Sequence, residues 1–101
     1  MTPAQKLVQR CSELSGVHVR DILQDNRHAF VCRPRFALYM ALHKRGWSFA
    51  KIGAALDRDR TSVRHGVARA KYTMERDPTF AAWVQELAAM PVHSFTGGDQ
   101  P

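Results

Sequence analysis

Apolar positions recur three or four residues apart along most of the chain, and two-residue alternation is almost absent, so the pattern is helical. Leu7, Val8, Cys11 and Leu14 form a first stripe. Thr2, Pro3 and Gln5 supply an N-cap, a first-turn proline and a third-position partner ahead of it, and Gly16 stands where a helix-ending glycine belongs. Val19, Ile22 and Leu23 predict a short second helix, and the polar, basic stretch from Asp25 to Val31 reads as a loop. Arg33-Pro34 opens a third helix, apolar nearly all round from Phe36 to Leu42 and therefore central and buried, which Gly46 ends. Ser48 caps a short helix carrying Phe49, Ile52 and Leu56. Asp57-Arg58-Asp59 is a turn, and Asp59 caps a fifth helix striped by Val63, Val67, Ala70 and Met74, with Arg60, Arg64 and Lys71 on the opposite side. Asp77-Pro78 starts a sixth, whose buried face holds Phe80, Trp83, Val84, Leu87 and Met90. The expected fold is all-α, about six helices in one domain over residues 1–90, with a loose tail over 91–101.

Length agrees with this, since 101 residues make one domain with no room for a second lobe. Charge adds a partner class. Lys and Arg number 15 against 9 Asp and Glu, a net charge of +6. The excess is concentrated: between Arg27 and Arg76 there are twelve bases and three acids. Nine of those bases are Arg, the side chain suited to bidentate phosphate and base contacts, so one surface is expected to meet an anion. A solvated basic helix surface is the plainer alternative. Two cysteines, Cys11 and Cys32, are too few for a disulfide scaffold or a four-ligand zinc site and are expected to be buried thiols. No apolar run approaches the roughly 18 to 20 residues that span a bilayer, and no signal-peptide pattern opens the chain. No membrane partner is expected, and the expected location is the cytoplasm, on the nucleoid.

The stretch from Ser48 to Lys71 carries the functional signal. A helix-turn-helix needs two short helices meeting at about 90 to 120 degrees, hence a small residue where they touch. Gly53 is that residue, between apolar Ile52 and Leu56, with Val63 seven positions further on. The turn glycine often found after the leucine is Asp57 here, a residue that tolerates turn conformations. In such a unit the second helix enters the major groove and its first residues touch base edges. Those residues are Asp59, Arg60, Thr61, Ser62 and Arg64, with Ser48, Lys51 and Arg58 on the adjoining basic surface. The alternative is that Asp59, Thr61 and Ser62 merely cap a structural helix.

Arg58-Asp59-Arg60-Thr61-Ser62-Val63-Arg64-His65 resembles the signature Arg-Asp-His-Thr-Thr-Val-x-His of the C-terminal DNA-binding domain of the bacterial replication initiator DnaA. Upstream, Val31-Cys32-Arg33-Pro34-Arg35 is similar to that family's Val-Ala-Arg-Pro-Arg, and Ser48-Phe49-Ala50-Lys51-Ile52-Gly53 to its Ser-Leu-Pro-Glu-Ile-Gly. The resemblance covers roughly residues 5 to 90. It implies duplex DNA as partner, read by the helix-turn-helix in the major groove and by a basic-loop arginine in the minor groove. Ungapped alignment back from Arg33-Pro34-Arg35 puts that arginine at Arg27. A phosphate contact falls at Arg35 and recognition-helix contacts at Asp59, Thr61 and Ser62, while Lys44, next to a one-residue gap, is a further phosphate partner that the resemblance implies. His65 is placed beside the buried face. Two departures stand out: the family's base-reading histidine is Arg60, and a polar phosphate contact is Phe36. Arginine favours guanine, so a site related to, but different from, the initiator's nine-base-pair box is expected.

No phosphate-cradling Gly-x-x-x-x-Gly-Lys-Ser/Thr loop is present, which excludes a complete initiator. A stand-alone protein that binds initiator-like sites, competing with or accompanying the initiator in replication or transcription control, is the expectation; a fragment is the alternative. The five histidines lack metal-ligand spacing, and no nucleophile stands at a set spacing from a base, so neither a metal, a cofactor nor an enzymatic activity is expected. Trp47 and Trp83 read as core or core-edge residues. A monomer is favoured. The competing functions are an adaptor that binds the initiator through the Phe80-to-Met90 helix, and a non-specific nucleoid protein.

Overall fold

A computed structural model describes residues 2–24 and 28–91, with the side chain of Ala29 excepted. They form six helices: α1 (Pro3–Ser15), α2 (Val19–Leu23), α3 (Ala29–Lys44), α4 (Phe49–Leu56), α5 (Arg60–Met74) and α6 (Pro78–Ala89). The expected all-α architecture is the one observed, and no strand occurs among the described residues. The tail expectation lies outside them from residue 92 onward.

The helix starts follow the local chemistry of the chain. At α1 the Thr2 backbone N–H donates to Gln5 Oε1 at 2.8 Å while Thr2 Oγ1 accepts from the Gln5 N–H at 3.1 Å, a reciprocal pair that satisfies two otherwise orphaned donors. Ser48, Asp59 and Asp77 each accept a backbone N–H at the start of α4, α5 and α6. Gly16 closes α1 in the left-handed region at φ 76°, where a Cβ would be strained.

Helix α3 differs from expectation. It starts at Ala29, four residues before Arg33, so Pro34 lies inside the helix and residues 29–31 belong to it rather than to a loop. The first bonds run from the Val31 and Cys32 N–H groups to the His28 carbonyl, at 3.0 and 2.9 Å. The extra turn brings Val31 into complete burial. Burying such a side chain is worth about 1.5 to 3 kcal/mol, which offsets much of the roughly 3 kcal/mol that a proline costs past the first turn.

Every other helix touches α3. Ala37, Leu38, Tyr39, Met40, Ala41 and Leu42 are all buried, so the helix that is apolar all round is the axis of the domain. Leu7, Val8 and Cys11 of α1, Ile52 and Leu56 of α4, Val63, Val67 and Ala70 of α5, and Phe80, Val84 and Leu87 of α6 close around it. Burial pushes the Cys11 thiol up to about 12. Cys32, expected to be buried, is only half-buried. Trp47 is in the core and Trp83 at its edge.

Arg33 holds α3 to α6. Its guanidinium pairs with Asp77 and stands over the rings of Phe80 and Trp83, 5.5 and 5.1 Å from their centroids. The Asp77 carboxyl is held below its ordinary 3.8, first by the Phe80 backbone N–H and then by the Arg33 guanidinium. A carboxyl depressed in the folded state contributes stability above its unfolded value and loses that contribution as pH falls toward the folded one. Denaturant midpoints measured from pH 6 downward are therefore expected to fall below about pH 4, and to fall less in Asp77→Asn, where the amide keeps the cap without the charge. An equal acid slope in both proteins would contradict this.

Candidate nucleic-acid interface

The turn between α4 and α5 is shaped by Gly53. The Arg58 backbone N–H donates to the Gly53 carbonyl at 2.8 Å, and the chain then folds back over Gly53 itself. A Cβ at Gly53 would overlap the Arg58 carbonyl oxygen outright and lie 3.5 Å from the Asp59 carbonyl carbon. Asp57 takes the left-handed conformation at φ 56° that the missing turn glycine would have occupied. The turn that leads into α5 is thus laid on α4 at a point where only a hydrogen fits, which suits the tight turn of a helix-turn-helix.

Helix α5 is seated by a second glycine. A Cβ on Gly66 would lie 2.6 Å from Tyr39 Cδ2 and 2.9 Å from Phe36 Cδ1. Phe36, at the position where the resembled family has a polar phosphate contact, therefore packs α5 against α3. Val63, Gly66, Val67 and Ala70 face inward. Arg60, Thr61, Ser62, Arg64, His65, Ala68, Arg69, Lys71 and Tyr72 are exposed.

Among the described residues, no side-chain hydrogen bond or ion pair engages Arg60, Thr61 or Arg64, so these three are presented to solvent at the start of α5. Asp59 and Ser62 are tied to each other: the Ser62 N–H donates to Asp59 Oδ1 at 2.7 Å and its hydroxyl to Oδ2 at 3.2 Å. Asp59 thus builds the helix start and remains exposed. His65, expected beside the buried face, is exposed. It shares the outermost line of α5 with Thr61, Ala68 and Tyr72, which follow at intervals of four, three and four. The helical period alone sets that line, and Ala68 and Tyr72 lie on it outside the signature residues. Tyr72 is 49% exposed and stacks between Arg69 and Arg76, whose guanidinium carbons are 5.1 and 3.7 Å from the ring centroid.

The chain is similar to a replication initiator over most of its length. It is 32% identical over 88 residues, 85% of the chain, to the chromosomal replication initiator protein DnaA of Gluconobacter oxydans, and spans 18% of that protein. No family model matches the chain. No solved structure matches it either.

The remaining sequence-predicted residues divide. Lys44 is exposed in the last turn of α3, and Ser48 is exposed while its hydroxyl oxygen accepts the Lys51 N–H at 3.1 Å. Lys51 is half-buried with its ammonium 4.5 Å from the centre of the Trp47 ring. Arg27 lies outside the described residues. Arg33 is engaged with α6 as described above. Arg35 corrects the expectation of a phosphate contact: it is buried, and its guanidinium donates to the carbonyls of Ile22 at 2.8 Å, Asp21 at 3.3 Å and Gln24. A guanidinium directed inward at the open end of α2 satisfies orphaned helix carbonyls instead of reaching a nucleic-acid surface. Arg58 is half-buried and donates to the Leu23 carbonyl at 2.6 Å.

Arg45, part of the same basic window, likewise reaches the carbonyls of Leu87, Ala88 and Met90 at the end of α6. Desolvation lowers its pKa from the ordinary value. The apolar face of α6 is consumed in packing, with Phe80, Val84 and Leu87 buried. No helix among the described residues is long and apolar enough to cross a membrane.

Proposed function

We propose that this chain is a sequence-specific duplex-DNA-binding module that places the start of α5 in the major groove, with no chemistry performed on the bound DNA. The observation that carries this is the set Arg60, Thr61 and Arg64: exposed, unengaged, and projecting from a helix start fixed by the Gly53 turn. Arginine offers a fork to guanine O6 and N7, and threonine a methyl to thymine, so these side chains match major-groove edges. Similarity to DnaA supports DNA, and a role at initiator-like sites in replication or transcription control, as the function of the module. By that resemblance Arg27 is the minor-groove arginine and Lys44 a phosphate contact.

Selection of bound sequences from a random duplex pool tests the proposal. The expected result is a preferred site related to the initiator box but carrying a guanine opposite Arg60, a preference that Arg60→His relaxes. Thr61→Ala should weaken the selected site about tenfold and a scrambled duplex hardly at all, because a base contact is worth about 1 to 3 kcal/mol and a scrambled sequence does not use it. A titration that stays flat at low ionic strength, or equal affinity for scrambled and selected duplexes, would overturn the proposal. The adaptor role through α6 gains no support from a helix whose apolar face is already packed on α3.

A further inference from the structure

The last turn of α2 is held from two directions. Arg35 of α3 takes the carbonyls of Asp21, Ile22 and Gln24, and Arg58 of the α4–α5 turn takes the carbonyl of Leu23 between them. Two guanidiniums from distant parts of the chain therefore occupy four consecutive carbonyls that a five-residue helix cannot satisfy internally. Arg58 directly precedes Asp59, the cap of α5, so whatever holds Arg58 fixes where the recognition helix begins.

We propose that Arg58 is a positioning residue: it locks the turn ahead of α5 to the end of α2 and sets the pose in which Arg60, Thr61 and Arg64 meet base edges, without touching DNA itself. This role rests on α5 meeting duplex DNA as proposed above. It differs from the role that the surrounding positive charge implies, in which Arg58 would neutralise a phosphate. The two make opposite predictions. A phosphate contact adds about one unit to the slope of log affinity against log salt and serves all sequences alike. A positioning residue adds nothing to the slope, and its loss is felt only where the helix must fit a particular sequence.

The experiment uses the full chain and the duplex recovered by selection, with a scrambled duplex of equal length, titrated across a salt series. Arg58→Met keeps the apolar stem and removes the donor. Its affinity for the selected duplex is expected to fall about tenfold, the worth of one charge-assisted hydrogen bond, while scrambled affinity and the salt slope stay as in the wild type. A slope lower by about one, with both duplexes weakened alike, would overturn the role, and so would no change in either duplex. Should Arg58→Met not fold, Arg58→Lys decides. Lysine keeps the charge but not the planar fork, so the selected-to-scrambled ratio is expected to fall at an unchanged slope, whereas a phosphate contact predicts wild-type behaviour. Wild-type protein that binds no duplex overturns the DNA-binding function itself, an outcome recognisable before any variant is made.

Discussion

Gly53→Ala is expected to destabilise the protein by about 3 kcal/mol, at the upper end of overpacking penalties. The obstacle explains the size. The new methyl group would meet the Arg58 carbonyl oxygen, which is backbone and cannot swing aside as a side chain would. Relief requires the turn ahead of α5 to lift away from α4, and the Arg58-to-Gly53 hydrogen bond opens with it. Helix propensity works the other way: alanine inside α4 would by itself be favoured over glycine by about 1 kcal/mol. The sign of the change in a urea or thermal unfolding curve therefore separates the two effects. A more stable Gly53→Ala protein would mean that the turn and α4 do not make this close approach. Duplex binding, measured well below the melting temperature, should weaken as well, because lifting the turn displaces the start of α5.

Arg35→Ala is expected to cost on the order of 3 kcal/mol, since removing one buried guanidinium strands the carbonyls of Asp21, Ile22 and Gln24 at once. Arg35→Lys should recover only part of this, because one ammonium lacks the planar fork that reaches the Asp21, Ile22 and Gln24 carbonyls together. Denaturant unfolding monitored by circular dichroism reads the effect. If Arg35→Ala were as stable as the wild type and only lowered the salt slope of DNA binding, the guanidinium would be a surface phosphate contact and its inward placement wrong.

Most of the fold was legible because the determining chemistry is local. Thr2 with Gln5, Ser48, Asp59 and Asp77 sit where caps must sit, and the stripes of α1, α5 and α6 repeat at the helical period. The start of α3 was misjudged for a non-local reason. Pro34 is a strong local signal for a helix beginning, but Val31 gains its burial from residues far along the chain, and that gain carries the helix back to Ala29.

The candidate site was legible only in part. Helical spacing identified the inward stripe of α5 but not its outermost line, on which His65 lies, and the count of basic residues could not distinguish an arginine aimed at solvent from one aimed at a helix end. Arg33, Arg35, Arg45 and Arg58 all serve internal contacts, so the surface left for an anion is narrower than the charge of the window implies. What separates them is the position of exposed carbonyls on α2 and α6, which depends on tertiary packing.

The division of labour along α5 bears on how its target could change over time. Packing falls on Val63, Gly66, Val67, Ala70 and Met74, and the helix start on Asp59 and Ser62. Residues 60, 61, 64, 65 and 68 can therefore vary with little thermodynamic penalty, since substitutions at exposed helix positions usually shift stability by less than about 0.5 kcal/mol. On the proposed function, the preferred sequence could drift through these positions while the scaffold stays intact, and a combinatorial library at the same five codons would start from a folded protein.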